Sequence, residues 1–173
     1  MSFSFNQSIE ILANTPNVIS AILGNLSDHW VNTNEGGNTW TAKEVVAHLI
    51  LCEETNWLTR AKIILSYTPN QVFAPIDMTA HFHIAEKYTL NDLLNKFQQL
   101  RKTGLEELNR CNLREQDLQR KGIHPVTGEV TLQQIIATWV VHDMTHISQI
   151  ARVIAKQNKE AVGSFQQFLK ILN

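Results

Sequence analysis

Four long segments of the chain carry apolar residues at the spacing of an α-helix, and this periodicity constrains the fold more than any other feature. Three of the segments begin with a Thr-x-x-Glu/Asp/Gln signature, namely Thr41 with Glu44, Thr89 with Asp92, and Thr131 with Gln134. In such a capping box the hydroxyl accepts a hydrogen bond from an amide of the first turn, and the fourth residue reaches back to the first. Only seven glycines and four prolines interrupt the 173 residues. Long helices are therefore the expected elements.

The periodicity predicts helices over about residues 6–27, 42–65, 90–109 and 132–157, and a short tail helix over about 165–172. Pro16 is expected to kink or restart the first helix, and the run from His124 to Gly128 predicts a turn before the fourth. The connections 28–40 and 66–88, the second containing Pro69 and Pro75, are longer than those between adjacent antiparallel helices. At least one connection therefore crosses over. We predict a single domain over residues 1–173, an all-α four-helix bundle with a non-trivial connection order.

Charge and cysteine content exclude several classes of partner. Fifteen Lys and Arg against sixteen Asp and Glu give a net charge of -1, so no broad basic field is available for nucleic acid or anionic lipid. No apolar run approaches the length of a membrane span, and the first residues lack the basic start of a signal peptide. Two cysteines, Cys52 and Cys111, are too few for a disulfide scaffold. We expect a cytoplasmic protein that acts on a small molecule.

The sharpest motif is His142-Asp143-Met144-Thr145-His146 inside the fourth predicted helix. Residues four apart lie on one helix face, so the two imidazoles can converge on one cation. In the alternative interpretation both histidines are ordinary, partly buried residues of an amphipathic helix. Asp143 favours a polar site, because it falls near the centre of the apolar stripe and an isolated buried carboxylate is costly. We expect Asp143 to orient a ligand by bonding an imidazole, or a water beside a cation.

A third ligand should come from a facing helix, and His48, two turns into the second helix, is the best candidate. The same helix carries polar residues where a plain core would be apolar, and these are candidate substrate contacts: Glu53, Asn56 and Arg60. Cys52 lies one turn after His48 and either approaches the ion as a thiolate or, more commonly for cysteine, fills a small apolar site. His81 and His83 fall in a predicted loop and would reach the site only if that loop folds over it.

Together these motifs resemble the DinB-like (YfiT-like) family of helical metalloproteins. The resemblance rests on the stretches 40–49, 124–128 and 139–150, which read WTAKEVVAHL, HPVTG and WVVHDMTHISQI. It implies a four-helix bundle of up-down-down-up order with a short C-terminal helix, often a homodimer. It also implies a divalent ion, nickel or zinc, on three histidines, which by position are His48, His142 and His146.

The resemblance further implies thiol-dependent chemistry, in which low-molecular-weight thiols such as bacillithiol are transferred onto electrophiles. A metal-dependent thiol S-transferase is therefore our leading hypothesis. A metal-dependent hydrolase is the alternative within enzymes, although Asp143 replaces the longer Glu that serves as general base in His-Glu-x-x-His proteases. A non-catalytic bundle that binds metal or a partner is the alternative from a different class. Di-iron bundles are excluded because the paired Glu-x-x-His motifs are absent from the sequence.

Overall fold

The computed structural model describes residues 3–66 and 71–172. Its helices are α1 (Phe5–Leu23), α2 (Asp28–Asn32), α3 (Ala42–Thr55), α4 (Trp57–Leu65), α5 (Ala80–Lys87), α6 (Leu90–Arg110), α7 (Glu115–Leu118) and α8 (Leu132–Lys156). A two-stranded antiparallel hairpin, β1 (Lys121–His124) and β2 (Gly128–Thr131), precedes α8. Two 3-10 turns, Gly163–Phe168 and Lys170–Leu172, end the chain. None of the helices in these ranges combines the length and hydropathy needed to cross a membrane.

The bundle is formed by α1, the α3–α4 pair, α6 and α8. Helix α1 packs against α6 and α8, and α3 packs against the same two helices, so α1 and α3 occupy opposite corners. Leu12, early in α1, shares a cluster with Leu108 at the end of α6 and Leu132 at the start of α8. Helix α1 therefore runs antiparallel to α6 and parallel to α8. Leu23 at the end of α1 shares the other cluster with Val45 near the start of α3, so α3 is also antiparallel to α1, and the order is up-down-down-up as predicted.

The three capping boxes form as predicted. Thr41 Oγ1 accepts from the Glu44 amide at 3.1 Å, and the Glu44 carboxylate accepts from the Thr41 amide at 2.7 Å. The equivalent reciprocal pairs begin α6 at Thr89 and α8 at Thr131. Because these bonds join residues three apart, they fix each helix start locally, before tertiary packing contributes.

The predicted second helix, 42–65, is divided at Asn56. Asn56 has φ −110 and ψ −78, so its backbone departs from helical values between α3 and α4. Its amide still donates to the Cys52 carbonyl at 3.0 Å, and its carbonyl accepts from the Arg60 amide at 2.9 Å. Asparagine is a weak helix former because its side chain competes for local hydrogen bonds. Helices α3 and α4 are therefore two consecutive segments that together form one of the four long members of the bundle.

The long connections contain structure that the sequence prediction missed. The first helix ends at Leu23, before its predicted end at 27, and residues Asp28–Asn32 form α2. Residues Ala80–Lys87 of the predicted loop form α5, which packs along α3; Pro69 lies outside the described residues. Helix α5 covers an apolar face of α3, and Ile50 of α3 is fully buried within the chain. The predicted tail helix is a pair of 3-10 turns, of which only Leu172 is buried.

The interior consists of two apolar clusters. One contains Ile19, Val46, Leu93, Phe97 and Ile150, and the other contains Leu12, Cys52, Trp57, Leu105 and Trp139. The buried polar side chains His48, Arg101, Asp143 and His146 belong to the same helices at intermediate positions. The bundle thus carries a polar layer across its middle.

Candidate metal centre

Three histidines from two helices converge in the polar layer. His142 Nε2 lies 3.2 Å from His48 Nε2 and 3.2 Å from His146 Nε2. One nitrogen from each of the three rings lies within 4.8 Å of the others. Two of these residues share one face of α8 at a spacing of four, and α3 presents the third from the opposite side. The three residues that the sequence selected are therefore brought together at one point.

The protein environment keeps these rings neutral. Burial, with smaller contributions from His146 and His81, lowers the pKa of His48 to about 3. Burial together with the neighbouring His146, His48 and Arg101 lowers the pKa of His142 to about 3. The pKa of His146 is also lowered by burial, although Gln149 and Asp143 act in the opposite direction. Neutral imidazoles have a free lone pair, which is the form that binds a divalent ion.

A second kind of donor lies beside the histidines. The sulfur of Cys52 lies 3.6 Å from His48 Nε2 and 4.0 Å from His142 Nε2. Burial and the nearby Glu53 raise the pKa of the Cys52 thiol to about 12, against smaller opposing effects from Asn56 and Arg60. Without an added cation, the cysteine is therefore a neutral thiol.

Aromatic rings enclose the histidines. The Trp40 ring lies parallel to the His146 ring, with an interplanar angle of 10° and a centroid distance of 6.3 Å. Trp57 meets His142 edge-on at 5.0 Å and stacks on Trp139 at 5.8 Å. His81 of α5, which is fully buried, lies 4.2 Å from the Trp40 ring. The walls around the donors are therefore largely aromatic. His48 and His146 are buried between them, and His142 is half-buried.

A buried ion-pair network underlies the histidines. Arg101 of α6 donates from Nη1 to Asp143 Oδ2 at 2.6 Å and from Nη2 to Asp143 Oδ1 at 3.0 Å. Its Nη2 also donates to Glu53 Oε1 at 2.8 Å, and Trp139 Nε1 donates to the same oxygen at 3.1 Å. The exposed fractions of the side chains are 1% for Arg101, 0% for Asp143 and 3% for Glu53. One guanidinium thus links α3, α6 and α8.

The network corrects the expectation for Asp143. We expected this carboxylate to bond an imidazole or a water beside a cation, but both oxygens are taken by Arg101. The reason is that α6 offers a bidentate guanidinium, which satisfies both oxygens of a buried carboxylate with charge-assisted bonds. Asp143 lies between His142 and His146 on α8, so its pair with Arg101 joins the turn that carries both histidines to α6.

The remaining candidate substrate contacts lie along the same rod. Glu53 is engaged by Arg101 and Trp139. Asn56 Oδ1 is buried without a hydrogen-bond partner among the described residues. The guanidinium carbon of Arg60 lies 5.2 Å from the centroid of the Phe73 ring, in a cation–π arrangement. Asn56 and Arg60 both influence the Cys52 thiol.

Sequence reasoning did not single out Arg101, and it placed His81 in the wrong kind of element. Arg101 lies four residues after Phe97 and three before Gly104, inside the buried stripe of α6. A buried Asp143 needs a cation, and a charged residue on a core stripe was the signal that could have identified its partner. His81 was expected in a loop; α5 instead places it against Trp40, while His83 is exposed.

Comparisons with known proteins agree with this architecture. A family model described as the DinB superfamily matches residues 11–150. YfiT from Bacillus subtilis, described as "a probable metal-dependent hydrolase with an unusual four-helix bundle topology", superimposes with a TM-score of 0.73 at 22% identity, covering 94% of this chain and 91% of that one. TT2238, described as a four-helix bundle protein, gives a TM-score of 0.59 at 16% identity, with 86% and 98% covered. No curated protein matches the chain significantly.

Proposed function

The chain belongs to the DinB superfamily, and from this membership and the three-histidine cluster we propose that it is a divalent-metal-dependent enzyme. His48, His142 and His146 would hold the ion, and zinc or nickel suits a set of imidazole donors. The reaction we favour is the transfer of a small thiol onto an electrophilic small molecule. The observation that carries this proposal is the convergence of three neutral imidazole nitrogens in a buried layer.

The donor set fits such an ion. Nitrogen ligands about 2.0–2.1 Å from a tetrahedral zinc lie about 3.3 Å from one another, and the two Nε2 to Nε2 distances here are both 3.2 Å. Three neutral imidazoles also leave the charge of the ion intact and a coordination position for a further ligand, as in catalytic zinc sites. A divalent ion supplies two effects there: it favours the deprotonated form of a bound thiol or water, and it polarises an electrophile.

The residues around the histidines have supporting roles. Trp40 and Trp57 exclude water, which strengthens electrostatic interactions inside the layer. Asp143 is a positioning residue, because its bidentate pair with Arg101 fixes the turn of α8 that presents both His142 and His146. Asn56 and Arg60 are proposed substrate contacts, since an unpaired amide oxygen and a cation lie near Cys52. An anionic thiol substrate suits that charge.

The carboxylates favour thiol transfer over hydrolysis. Among the described residues, no Asp or Glu joins the cluster of donor atoms, and the two buried beside it are engaged by Arg101. A metal-dependent hydrolase of the His-Glu-x-x-His type needs a free carboxylate as general base. A thiol has an ordinary pKa of about 8.5, so it needs far less help than water to lose its proton. Hydrolysis remains the second candidate, because YfiT is described as a probable metal-dependent hydrolase.

Metal analysis is the first test. We expect one divalent ion per chain in protein purified without chelator or affinity tag, and loss of that ion in His142→Ala. His83→Ala is the matched control, because the His83 side chain is 87% exposed. Absence of a stoichiometric ion, or an unchanged metal content in His142→Ala, would contradict the proposal.

The second test separates the reactions. Metal-loaded protein is mixed with a panel of cellular thiols and monochlorobimane, and conjugate formation is followed by fluorescence. We expect a rate that disappears with EDTA and in His142→Ala. Metal-dependent cleavage of model esters or amides without any thiol-dependent rate would favour the hydrolase. If the metal-loaded protein shows neither thiol transfer nor hydrolysis, that result would favour a binding role.

The resemblance to the family also leads us to propose a homodimer. Sedimentation or light scattering would test the mass directly, and a monomer at micromolar concentration would contradict this part of the proposal.

A further inference from the structure

We propose that Cys52 is a fourth ligand of the metal, so that the resting centre has three histidine nitrogens and one cysteine sulfur. This inference rests on the proposed function, because it needs a metal on the three histidines. It goes beyond the three-histidine site, since it assigns to this chain a protein ligand at the coordination position that was left for a further ligand.

The donor distances carry the proposal. In a tetrahedral zinc site with Zn–N of about 2.0–2.1 Å and Zn–S of about 2.3 Å, a sulfur lies about 3.6 Å from each nitrogen. Cys52 Sγ lies 3.6 Å from His48 Nε2 and 4.0 Å from His142 Nε2. The two nitrogen separations of 3.2 Å meet the same geometry. Cys52 Sγ thus already lies at nearly the coordination spacing from two of the three histidines, and a small shift of the side chains would bring it into one coordination sphere with all three.

The position of Cys52 on α3 supports the same assignment. It follows His48 by four residues, so both side chains point from one helix face to the same place, as His142 and His146 do on α8. Each helix therefore supplies a pair of donors at a spacing of four. Cys52 is 1% exposed and immobilised in the core, whereas the other cysteine, Cys111, is exposed at the end of α6.

Coordination by Cys52 has a chemical consequence. On binding, the Cys52 thiol would lose its proton to the solvent, and the ion would have four protein ligands. Cys52 would then occupy the position that a substrate thiol needs, so one thiolate would have to be exchanged for the other. Such an exchange would be nearly balanced in bond type, which would favour a thiol over water as the entering ligand.

Cobalt substitution tests the ligand directly. Cobalt(II) bound to a thiolate has a sulfur-to-metal charge-transfer band in the near ultraviolet, and cobalt bound only to nitrogen and oxygen lacks it. We expect this band in the wild-type protein and in Cys111→Ser, and its loss in Cys52→Ala with the visible ligand-field bands retained. Loss of a residue that only hydrogen-bonds to a metal ligand raises the metal Kd by about 10- to 100-fold. Because Cys52 is proposed to bind the metal itself, the Kd of Cys52→Ala should rise by more than this.

A measurement without substitution guards against misfolding of the variant. X-ray absorption of the zinc-loaded wild-type protein should show one sulfur scatterer at about 2.3 Å beside nitrogen scatterers. Three results would overturn the assignment and leave the three-histidine site standing. Cobalt could bind through the histidines without a charge-transfer band, or the band could persist in Cys52→Ala. Zinc could also show nitrogen and oxygen scatterers only. Failure to bind any ion would overturn both proposals.

Discussion

Arg101 donates to the one carbonyl of α1 that Pro16 leaves without a helical donor. In an α-helix the amide of residue 16 would bond the carbonyl of residue 12, and proline has no amide hydrogen. Arg101 Nη1 instead donates to the Leu12 carbonyl at 2.7 Å, while α1 continues unbroken through Pro16. The same guanidinium therefore completes α1 and pairs with the carboxylates of α3 and α8.

Removal of Arg101 should therefore be severely destabilising. Arg101→Met leaves Asp143 and Glu53 buried without their cation, and we expect a loss of about 3–5 kcal/mol in the free energy of unfolding. Urea denaturation followed by circular dichroism measures it. Lys102→Met, at the exposed neighbouring position, is the control and should change the value by less than about 0.5 kcal/mol. A loss below about 1 kcal/mol for Arg101→Met would show that the network does not support the bundle.

The link to Pro16 can be isolated with a double-mutant cycle. Pro16→Ala supplies the missing amide to the Leu12 carbonyl, so Arg101→Met should cost about 1 kcal/mol less in that background, the usual net value of one hydrogen bond. Additive effects of the two substitutions would contradict the relationship.

Glu35 should stabilise the protein at neutral pH and lose this effect in acid. Its carboxylate accepts from Arg152 Nε at 2.7 Å and pairs with Lys156 Nζ at 3.1 Å, which ties the connection after α2 to the end of α8. Burial acts to raise the pKa of Glu35, but the two cations outweigh it and hold the pKa below its ordinary value of 4.5.

The sign of the pH effect follows from that lowered pKa. Above the ordinary value the folded and unfolded states are both ionised and the stabilisation is fully present; as pH falls through the folded value it is lost. Glu35→Gln should cost about 1 kcal/mol at neutral pH, and the difference from wild type should shrink below pH 4.5. Urea unfolding at pH 7 and pH 3.5 tests this, with Glu129→Gln in the exposed Lys121 pair as the control. A constant difference would contradict the assignment.

Two glycine substitutions should have opposite effects. A Cβ at Gly122 in β1 would lie 2.6 Å from Phe73 and 2.9 Å from Ile64, so Gly122→Ala forces the hairpin away from α4. We expect it to lower the free energy of unfolding by about 1–3 kcal/mol.

At Gly104 in α6 the atoms nearest to an added Cβ would be 3.8 and 4.0 Å away, which is ordinary contact. Gly104→Ala should raise the free energy of unfolding by up to about 1 kcal/mol through helix propensity. Thermal unfolding of both variants decides, and equal effects would contradict the packing described.

Metal should stabilise the folded chain, because the histidines converge only when α3 and α8 are packed. At a free zinc concentration 100 times the Kd, the free energy of unfolding should rise by about 2.7 kcal/mol. Calorimetry with zinc and with EDTA measures the shift. His146→Ala should abolish the shift, whereas His83→Ala should retain it. A zinc shift that survives in His146→Ala would place the ion elsewhere.

Local signals account for the parts of the fold that the sequence predicted. The starts of α3, α6 and α8 depend on residues three apart, and the pairing of His142 with His146 depends on one turn of helix. The partner of Asp143 depends on how α6 and α8 pack, and no local pattern encodes that contact. The sequence therefore indicated a buried polar site without indicating that Arg101 would complete it.

The missed elements are short. Helix α5 has eight residues and no side-chain cap, and each strand of the hairpin has four. Such elements are marginal alone and form because a neighbour covers them. The packing of α5 on α3 also buries His81 and places it beside the histidine cluster.

The charges of the polar layer bear on what a metal-loaded centre would bind. In the Arg101 network one guanidinium lies between two carboxylates, and the buried Arg60 guanidinium near Cys52 offsets the remaining negative charge. A divalent cation would then give the layer two positive charges, and a thiolate at Cys52 would leave one. An anionic substrate would bring the layer to neutrality. Charge balance in a medium of low dielectric constant would thus favour an anion as the entering ligand, independently of the geometry of the site.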